Sequence, residues 1–179
     1  EGERAAAMAR VGRYGVVTLH RPSNVDDPDQ LAALMAMLGE LSARLPLLFP
    51  VHPRTRARLG AMGFIPPPSL QLLPPLPYQA FLSLWSEAAL VITDSGGLQE
   101  ETTALGVPCL TVRENTERPV TVEMGTNRLA GTDADTVLVM AQSLLDEMDR
   151  GEGPDGQVPP LWDGAAALRI VGRLSDALI

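Results

Sequence analysis

Ala88-Ala89-Leu90-Val91-Ile92 is a short, unbroken apolar run that passes directly into Thr93-Asp94-Ser95-Gly96-Gly97-Leu98-Gln99-Glu100-Glu101. A continuous run of this kind fits a strand buried on both faces, and the residues after it have helical character to about Gly106. A strand that turns through Ser-Gly-Gly into a helix leaves the first helical N–H groups unpartnered, at the end where the helix dipole favours negative charge. Such a turn is an anion site, and glycine lets a phosphate approach the backbone. The same residues also suit a plain tight turn with Ser95 as N-cap. Glu101 adds a second constraint. It lies roughly 9 Å beyond Ser95 along a helix axis, too far for the same phosphate but in reach of the hydroxyls of an attached ribose. The segment points to a nucleoside diphosphate.

The rest of the chain supplies a sheet for this turn. Residues 14–19, 45–51, 70–73, 107–112 and 127–130 read as further strands. Asp26-Asp27-Pro28 offers an N-cap and a proline for the first helical position, and Leu31, Leu34, Met35, Leu38 and Leu41 follow at helical spacing to about Ala43. His52-Pro53 opens a short basic helix whose Arg54, Arg56 and Arg58 are expected to form a solvated face. Residues 77–85 and 133–148 read as helices, and Met35, Met37 and Met62 as helix-packing residues. Residues 150–160, rich in Gly, Pro and Asp, read as a linker. Residues 163–179 read as a last helix, apolar at Ala166, Ile170, Val171, Leu174 and Leu178. Strongly apolar strands alternating with helices specify an α/β fold, a parallel sheet with helices on both faces. Ligands bind such open sheets beyond the carboxyl ends of the strands. His20-Arg21, His52-Pro53, Asp94 to Gly97 and the loop after Val112 are therefore expected along one edge.

A net charge of −8 excludes a general nucleic-acid binder, which needs a basic footprint. With 45% hydrophobic and 20% charged residues the chain has the composition of a soluble globular domain. It shows no apolar stretch of membrane-spanning length and no secretory signal pattern, so a cytoplasmic location and no membrane partner are expected. The single cysteine, Cys109, rules out an intrachain disulfide and a multi-cysteine metal site, and reads as a small core residue. The chain begins Glu1-Gly2-Glu3-Arg4 without an initiator methionine, and is read as a piece of a longer protein.

The chemistry-bearing groups are few. Arg118, in Arg113-Glu114-Asn115-Thr116-Glu117-Arg118-Pro119, can donate paired hydrogen bonds to phosphate oxygens, or it can sit with Glu117 in surface pairs. His20, one of two histidines, can donate to phosphate or move a proton, or serve as a satisfied structural group. His52 carries the same alternatives. No Gly-Lys-Ser/Thr follows the glycines, no nucleophile elbow is present, and no paired histidines stand at metal-ligand spacing. No carboxylate pair for acid–base work is evident.

Thr18-Leu19-His20-Arg21-Pro22-Ser23-Asn24, Pro50-Val51-His52-Pro53, the Ser95-Gly96-Gly97 block, Gly106-Val107-Pro108, Thr116-Glu117-Arg118-Pro119, Gly125-Thr126-Asn127 and Gly131-Thr132 occur in one order. In that order the chain resembles the C-terminal half of the non-hydrolysing UDP-N-acetylglucosamine 2-epimerases of bacteria, over about residues 13–178. The resemblance implies a Rossmann-like domain, the second half of a two-domain glycosyltransferase-B-type fold. It divides the chain into a UDP-binding domain over residues 1–160 and a helix over residues 161–179 that crosses back to the absent N-terminal domain. It implies a cofactor-free and metal-free interconversion of UDP-GlcNAc and UDP-ManNAc, in cell-surface polysaccharide biosynthesis, by elimination and re-addition of UDP. Ser95, Gly96 and Gly97 would bind the diphosphate and Glu101 the ribose. Arg118 would stabilise the departing phosphate charge and His20 would act at the phosphate–sugar junction, both as catalytic groups. Leu76 and Phe81 would contact uracil, and Arg21 and His52 a second, activating UDP-GlcNAc. The carboxylates that move the C2 proton belong to the family's N-terminal domain.

One departure is Ser23, where many members carry Glu. Expected partners are UDP, UDP-GlcNAc, the missing N-terminal domain and, for the full-length protein, a second copy in a homodimer. A UDP-sugar glycosyltransferase half-domain, a non-catalytic UDP-sugar-binding module and a hydrolysing epimerase stand as alternatives.

Overall fold

The computed structural model describes residues 12–178. The first eleven residues of the expected 1–160 domain, including the Glu1-Gly2-Glu3-Arg4 start, and Ile179 of the expected last helix lie outside the described residues. Among the described residues six strands form one parallel sheet in the order β3-β2-β1-β4-β5-β6. They are β1 Gly15–Thr18, β2 Leu47–Pro50, β3 Leu70–Leu73, β4 Leu90–Thr93, β5 Cys109–Thr111 and β6 Asn127–Leu129. Eight helices accompany them: α1 Pro22–Val25, α2 Pro28–Ser42, α3 Pro53–Ala61, α4 Tyr78–Ser86, α5 Gly96–Leu105, α6 Pro119–Glu123, α7 Ala134–Asp149 and α8 Ala166–Ala177. This strand order is that of a Rossmann-type sheet, and it reverses between β1 and β4.

Side chains that alternate along each strand explain why the central strands β1, β2 and β4 are almost wholly apolar, whereas the edge strand β6 is Asn-Arg-Leu. Val16, Leu48 and Val91 point to one face, where they pack with Tyr14, Leu84, Trp85 and Leu98. Val17, Leu47, Phe49, Leu90 and Ile92 point to the other, against Leu34, Leu38 and Leu41 of α2 and Val137, Ala141 and Leu144 of α7. A period of two with both faces covered leaves no polar face to write. The helix starts follow their caps. Asp27 accepts the N–H groups of Asp29 (2.8 Å) and Gln30 (3.1 Å), and Asp133 accepts that of Thr136 (2.9 Å); such caps contribute about 1 kcal/mol each.

Several sequence expectations are corrected. The arginines of α3 are not a free solvated face. Arg54 and Arg58 both reach Asp26, at 2.9 and 2.5 Å, and tie α3 to the start of α2, while Arg56 donates to the Leu73 carbonyl at 2.7 Å. Met35 and Met37 are buried, but Met62 sits at the exposed C-cap of α3. The 150–160 stretch is no loose linker: Gln157 donates to the Met124 carbonyl at 2.7 Å, and Gly156 packs against Gly125 and Thr126. The last helix forms, but it has no buried residue, and Leu168, Ile170, Val171 and Leu174 are exposed. Among the described residues no helix is long and apolar enough to cross a membrane.

Candidate functional site

Because every strand runs the same way, the four loops singled out in the sequence share one edge of the sheet. β1 and β4 are neighbours, with Thr18 in register with Thr93, so His20 and Ser95 emerge side by side at the switch point. A cleft of about 210 Å³ opens there. Thr18 and His20 line it from β1, Tyr78 and Phe81 from α4, and Ser95, Gly97, Leu98 and Glu101 from the turn and first half of α5. A larger groove of about 510 Å³ lies beside β3, among Arg56, Leu59, Phe64 and prolines 66–68. It lies away from the switch point and from the open helix start, so size does not decide between the two.

The start of α5 is open. Ser95 occupies the N-cap position, yet its hydroxyl makes no capping bond; its own N–H donates to Thr93 Oγ1 at 3.0 Å. No acidic side chain occupies the first turn. A Cβ added at Gly97 would meet nothing within 4 Å, and one at Gly96 only Glu117 Oε2 at 4.0 Å. The helix start therefore offers backbone donors, a hydroxyl and clear space, which is what a phosphate requires. Ser95 is thus the N-cap by position, without the side-chain bond that a capping serine makes.

Asp94 closes the floor beneath it. Its side chain is fully buried and its carboxylate accepts the backbone N–H groups of His20 (2.9 Å) and Arg21 (2.8 Å) and Asn24 Nδ2 (3.1 Å). His20 Nδ1 lies 2.8 Å from Asp94 Oδ1. Burial alone pushes the Asp94 carboxyl up, but the bonds from His20, Arg21 and Asn24 outweigh it and hold it below the ordinary value. The bond to Asp94 raises the His20 imidazole, against the opposing effects of burial and Arg21.

With this geometry in place, the comparisons identify the family. The family model described as UDP-N-acetylglucosamine 2-epimerase matches residues 2–175. The chain belongs to this family. It is 39% identical over 150 residues to the UDP-N-acetylglucosamine 2-epimerase of Methanococcus maripaludis, covering 80% of this chain and 41% of that one. It is also similar to the solved structure of the Methanocaldococcus jannaschii UDP-GlcNAc 2-epimerase in complex with UDP-GlcNAc and UDP, with a TM-score of 0.77, 33% identity, and coverage of 97% of this chain and 48% of that chain. The chain thus spans about half the length of these relatives, and the family extends beyond bacteria to archaea. An E. coli heptosyltransferase, at 16% identity and TM-score 0.55, shares the glycosyltransferase-type fold alone.

In this epimerase-family chain the remaining candidates are placed as follows. Leu76 is half-buried against the same apolar cluster as Phe81. Arg118 does not line the cleft. Its Nε lies 2.9 Å from Glu100 Oε1 without alignment for a hydrogen bond, and the side chain is 42% exposed. Glu117 pairs instead with the buried Arg113, at 2.7 Å through both oxygens, which pulls its carboxyl down to about 2. Arg21 turns inward, its Nε donating to the Asp94 carbonyl at 2.9 Å. His52 caps α3, its Nδ1 accepting the Arg54 N–H at 3.3 Å. Ser23 is exposed and makes no hydrogen bond among the described residues. Asn24 anchors the loop, spanning Asp94 and the Val112 carbonyl (3.0 Å). The glutamate absent at 23 is thus not needed to hold the loop carrying His20.

Three contributors had escaped the sequence reading. Asp94 is the first; an aspartate directly after a strand buried throughout, Leu90–Thr93, was its only signal. Tyr78 is the second. Its hydroxyl donates to Glu101 Oε1 at 3.2 Å, and it stands three residues before Phe81, hence on the same helix face. The third is a buried polar network. Gln99 accepts from Thr116 Oγ1 (2.6 Å), Thr116 Oγ1 accepts the Arg118 N–H (3.0 Å), and Thr121 Oγ1 donates to the Arg118 carbonyl (2.7 Å). This network fastens the Thr116–Pro119 loop to α5.

Proposed function

We propose that this chain is the UDP-binding half of a UDP-N-acetylglucosamine 2-epimerase, gripping UDP while the N-terminal half moves the C2 proton. The observation that carries the reading is the cleft itself. An open helix start at Ser95-Gly96-Gly97 stands one and a half turns before Glu101, with Phe81 and Tyr78 closing the apolar side. The diphosphate sits on the helix start, the ribose hydroxyls donate to Glu101, and the uracil lies toward Phe81 and Leu76. Breaking the anomeric bond places negative charge on the diphosphate. Preoriented donors at the helix start, with Arg118 released from Glu100, stabilise that charge as UDP leaves. The M. jannaschii relative was solved with UDP-GlcNAc and UDP, which supports the same ligands here. Cell-surface polysaccharide synthesis in the cytoplasm, a homodimeric parent and an activating UDP-GlcNAc near Arg21 and His52 belong to the same proposal.

The division into residues 1–160 and a returning helix from residue 161 belongs to it too. The apolar face of α8 supports it, as none of its residues is buried among the described residues. Leu174→Asp is expected to leave the unfolding free energy of the chain within about 0.5 kcal/mol of the parent. It should weaken association with an N-terminal half supplied as a separate polypeptide, read by sedimentation. A marked loss of stability in the isolated chain would argue against the assignment.

Calorimetry with UDP tests the site. Glu101→Ala is expected to weaken UDP by about ten- to hundredfold, as for a hydrogen-bonded charge. Ser95→Ala should weaken it several-fold, whereas Arg56→Ala, outside the cleft, should leave it unchanged. The chain alone should not epimerise UDP-GlcNAc. Absence of UDP binding at millimolar concentration would refute the reading, and turnover by the chain alone would relocate the proton chemistry onto it.

A further inference from the structure

The proposed diphosphate site has at its edge a histidine whose ring is half-exposed and whose Nδ1 is fixed on a fully buried carboxylate. Asp94 receives four donors from the loop after β1: two backbone N–H groups, the Asn24 amide and His20 Nδ1. A carboxylate so held remains an acceptor, so the Nδ1 it faces must carry the proton. Nε2 is then the ring nitrogen left to the cleft, and it has no partner among the described residues.

The consequence is a coupling between ring charge and ligand. A neutral His20 locked as the Nδ1–H form would turn the Nε2 lone pair toward a phosphate oxygen, a contact between two acceptors. Only the protonated ring can donate there. Resting on the UDP reading above, we propose that Asp94 is a positioning residue that fixes His20 as an Nε2 donor to the diphosphate, so that nucleotide-sugar binding takes up a proton. The groups that bear on this titration are Asp94 at the end of β4, Arg21 beside His20, Tyr78 on α4 and Glu101 on α5. Glu117 and Arg113, from the loop after β5, neutralise each other. The bond to Asp94 raises the His20 pKa above its usual value of 6.5 despite burial and Arg21. Affinity is therefore full below that raised value and falls as pH rises through it.

UDP-GlcNAc is the proper ligand for the test, because both its phosphates keep fixed charge across neutral pH and the titration then belongs to the protein. The chain has two histidines, so a His52→Gln spectrum assigns His20 by difference. In NMR titrations His20 is expected to titrate above its usual value, and its neutral ring to show the nitrogen shifts of the Nδ1–H form. Calorimetry between roughly pH 5.5 and 9 should show UDP-GlcNAc affinity falling about tenfold through the same midpoint. His20→Gln and Asp94→Asn should flatten that profile, and Asp94→Asn should lower the His20 midpoint. The tautomer and the wild-type midpoint need no substitution at Asp94, so they decide the matter even if Asp94→Asn fails to fold. An Nε2–H tautomer, or an affinity that ignores the His20 midpoint, would overturn the proposal. A raised midpoint with no binding at any pH would overturn the nucleotide reading while leaving the coupling of Asp94 to His20 supported.

Discussion

Gly97→Ala is expected to weaken UDP binding by at least about tenfold, roughly 1.4 kcal/mol, while the domain keeps its stability. Nothing among the described residues requires glycine at this position. The residue is not in the left-handed region, and a Cβ there would meet no atom within 4 Å. Alanine is the better residue within a helix by about 0.5–1 kcal/mol, so urea unfolding should show no loss and a small gain is reasonable. The only thing a methyl group disturbs is the empty space over the first turn of α5, where the uncapped N–H groups point.

Stability and binding thus move independently, and this separation gives the test its force. Substituting a polar ligand such as Ser95 removes an interaction, whereas adding a methyl at Gly97 removes only room. Unchanged UDP affinity in Gly97→Ala would mean that the phosphate sits elsewhere, and the helix-start model would fall. A loss of both affinity and stability would mean that the glycine serves the fold.

The sheet and its ligand edge were legible because both rest on local rules. The strand-like Leu70–Leu73, the apolar run 88–92, the caps at Asp27 and Asp133, and Gly106 at φ 72° ending α5 are each decided within a few residues of chain. What long-range contacts decide was not legible. α1 is a single turn whose anchor, Asn24, binds Asp94 and the Val112 carbonyl, partners 70 and 88 residues away. Likewise the loop before α6 is tied by Thr116 to Gln99, 17 residues away. The α3 arginines read as solvated because no pattern announces that Asp26, 28 and 32 residues before Arg54 and Arg58, will stand beneath them. In the candidate site, Ser95, Gly97 and Glu101 were visible from helix geometry alone. Asp94 was passed over, since an aspartate at a strand end looks the same whether it faces water or collects four donors.

Gly125 shows the same limit from the opposite side, and Gly125→Ala is expected to destabilise the domain by about 1–3 kcal/mol. In the sequence, Gly97 and Gly125 both precede segments with apparent roles, and nothing local distinguishes them. In the structure a Cβ at Gly125 would stand 2.4 Å from Thr103 Oγ1 and 2.6 Å from the Thr121 carbonyl oxygen. Gly156 is confined by the same backbone, a Cβ there lying 2.7 Å from Gly125 C. Rotating Thr103 relieves only the contacts to its own side chain; the Thr121 carbonyl is backbone and yields only if α6 moves. Displacing α6 pulls on Thr121, which holds the Arg118 carbonyl and Asn127, so the loop carrying Arg118 shifts with it. Denaturant unfolding should therefore show the loss in stability, with weaker UDP binding following from the displaced loop rather than from a blocked cleft. A Gly125→Ala chain as stable as the parent would show that α6 yields freely. The Arg118 loop would then owe its position to Gln99 and Thr116 alone.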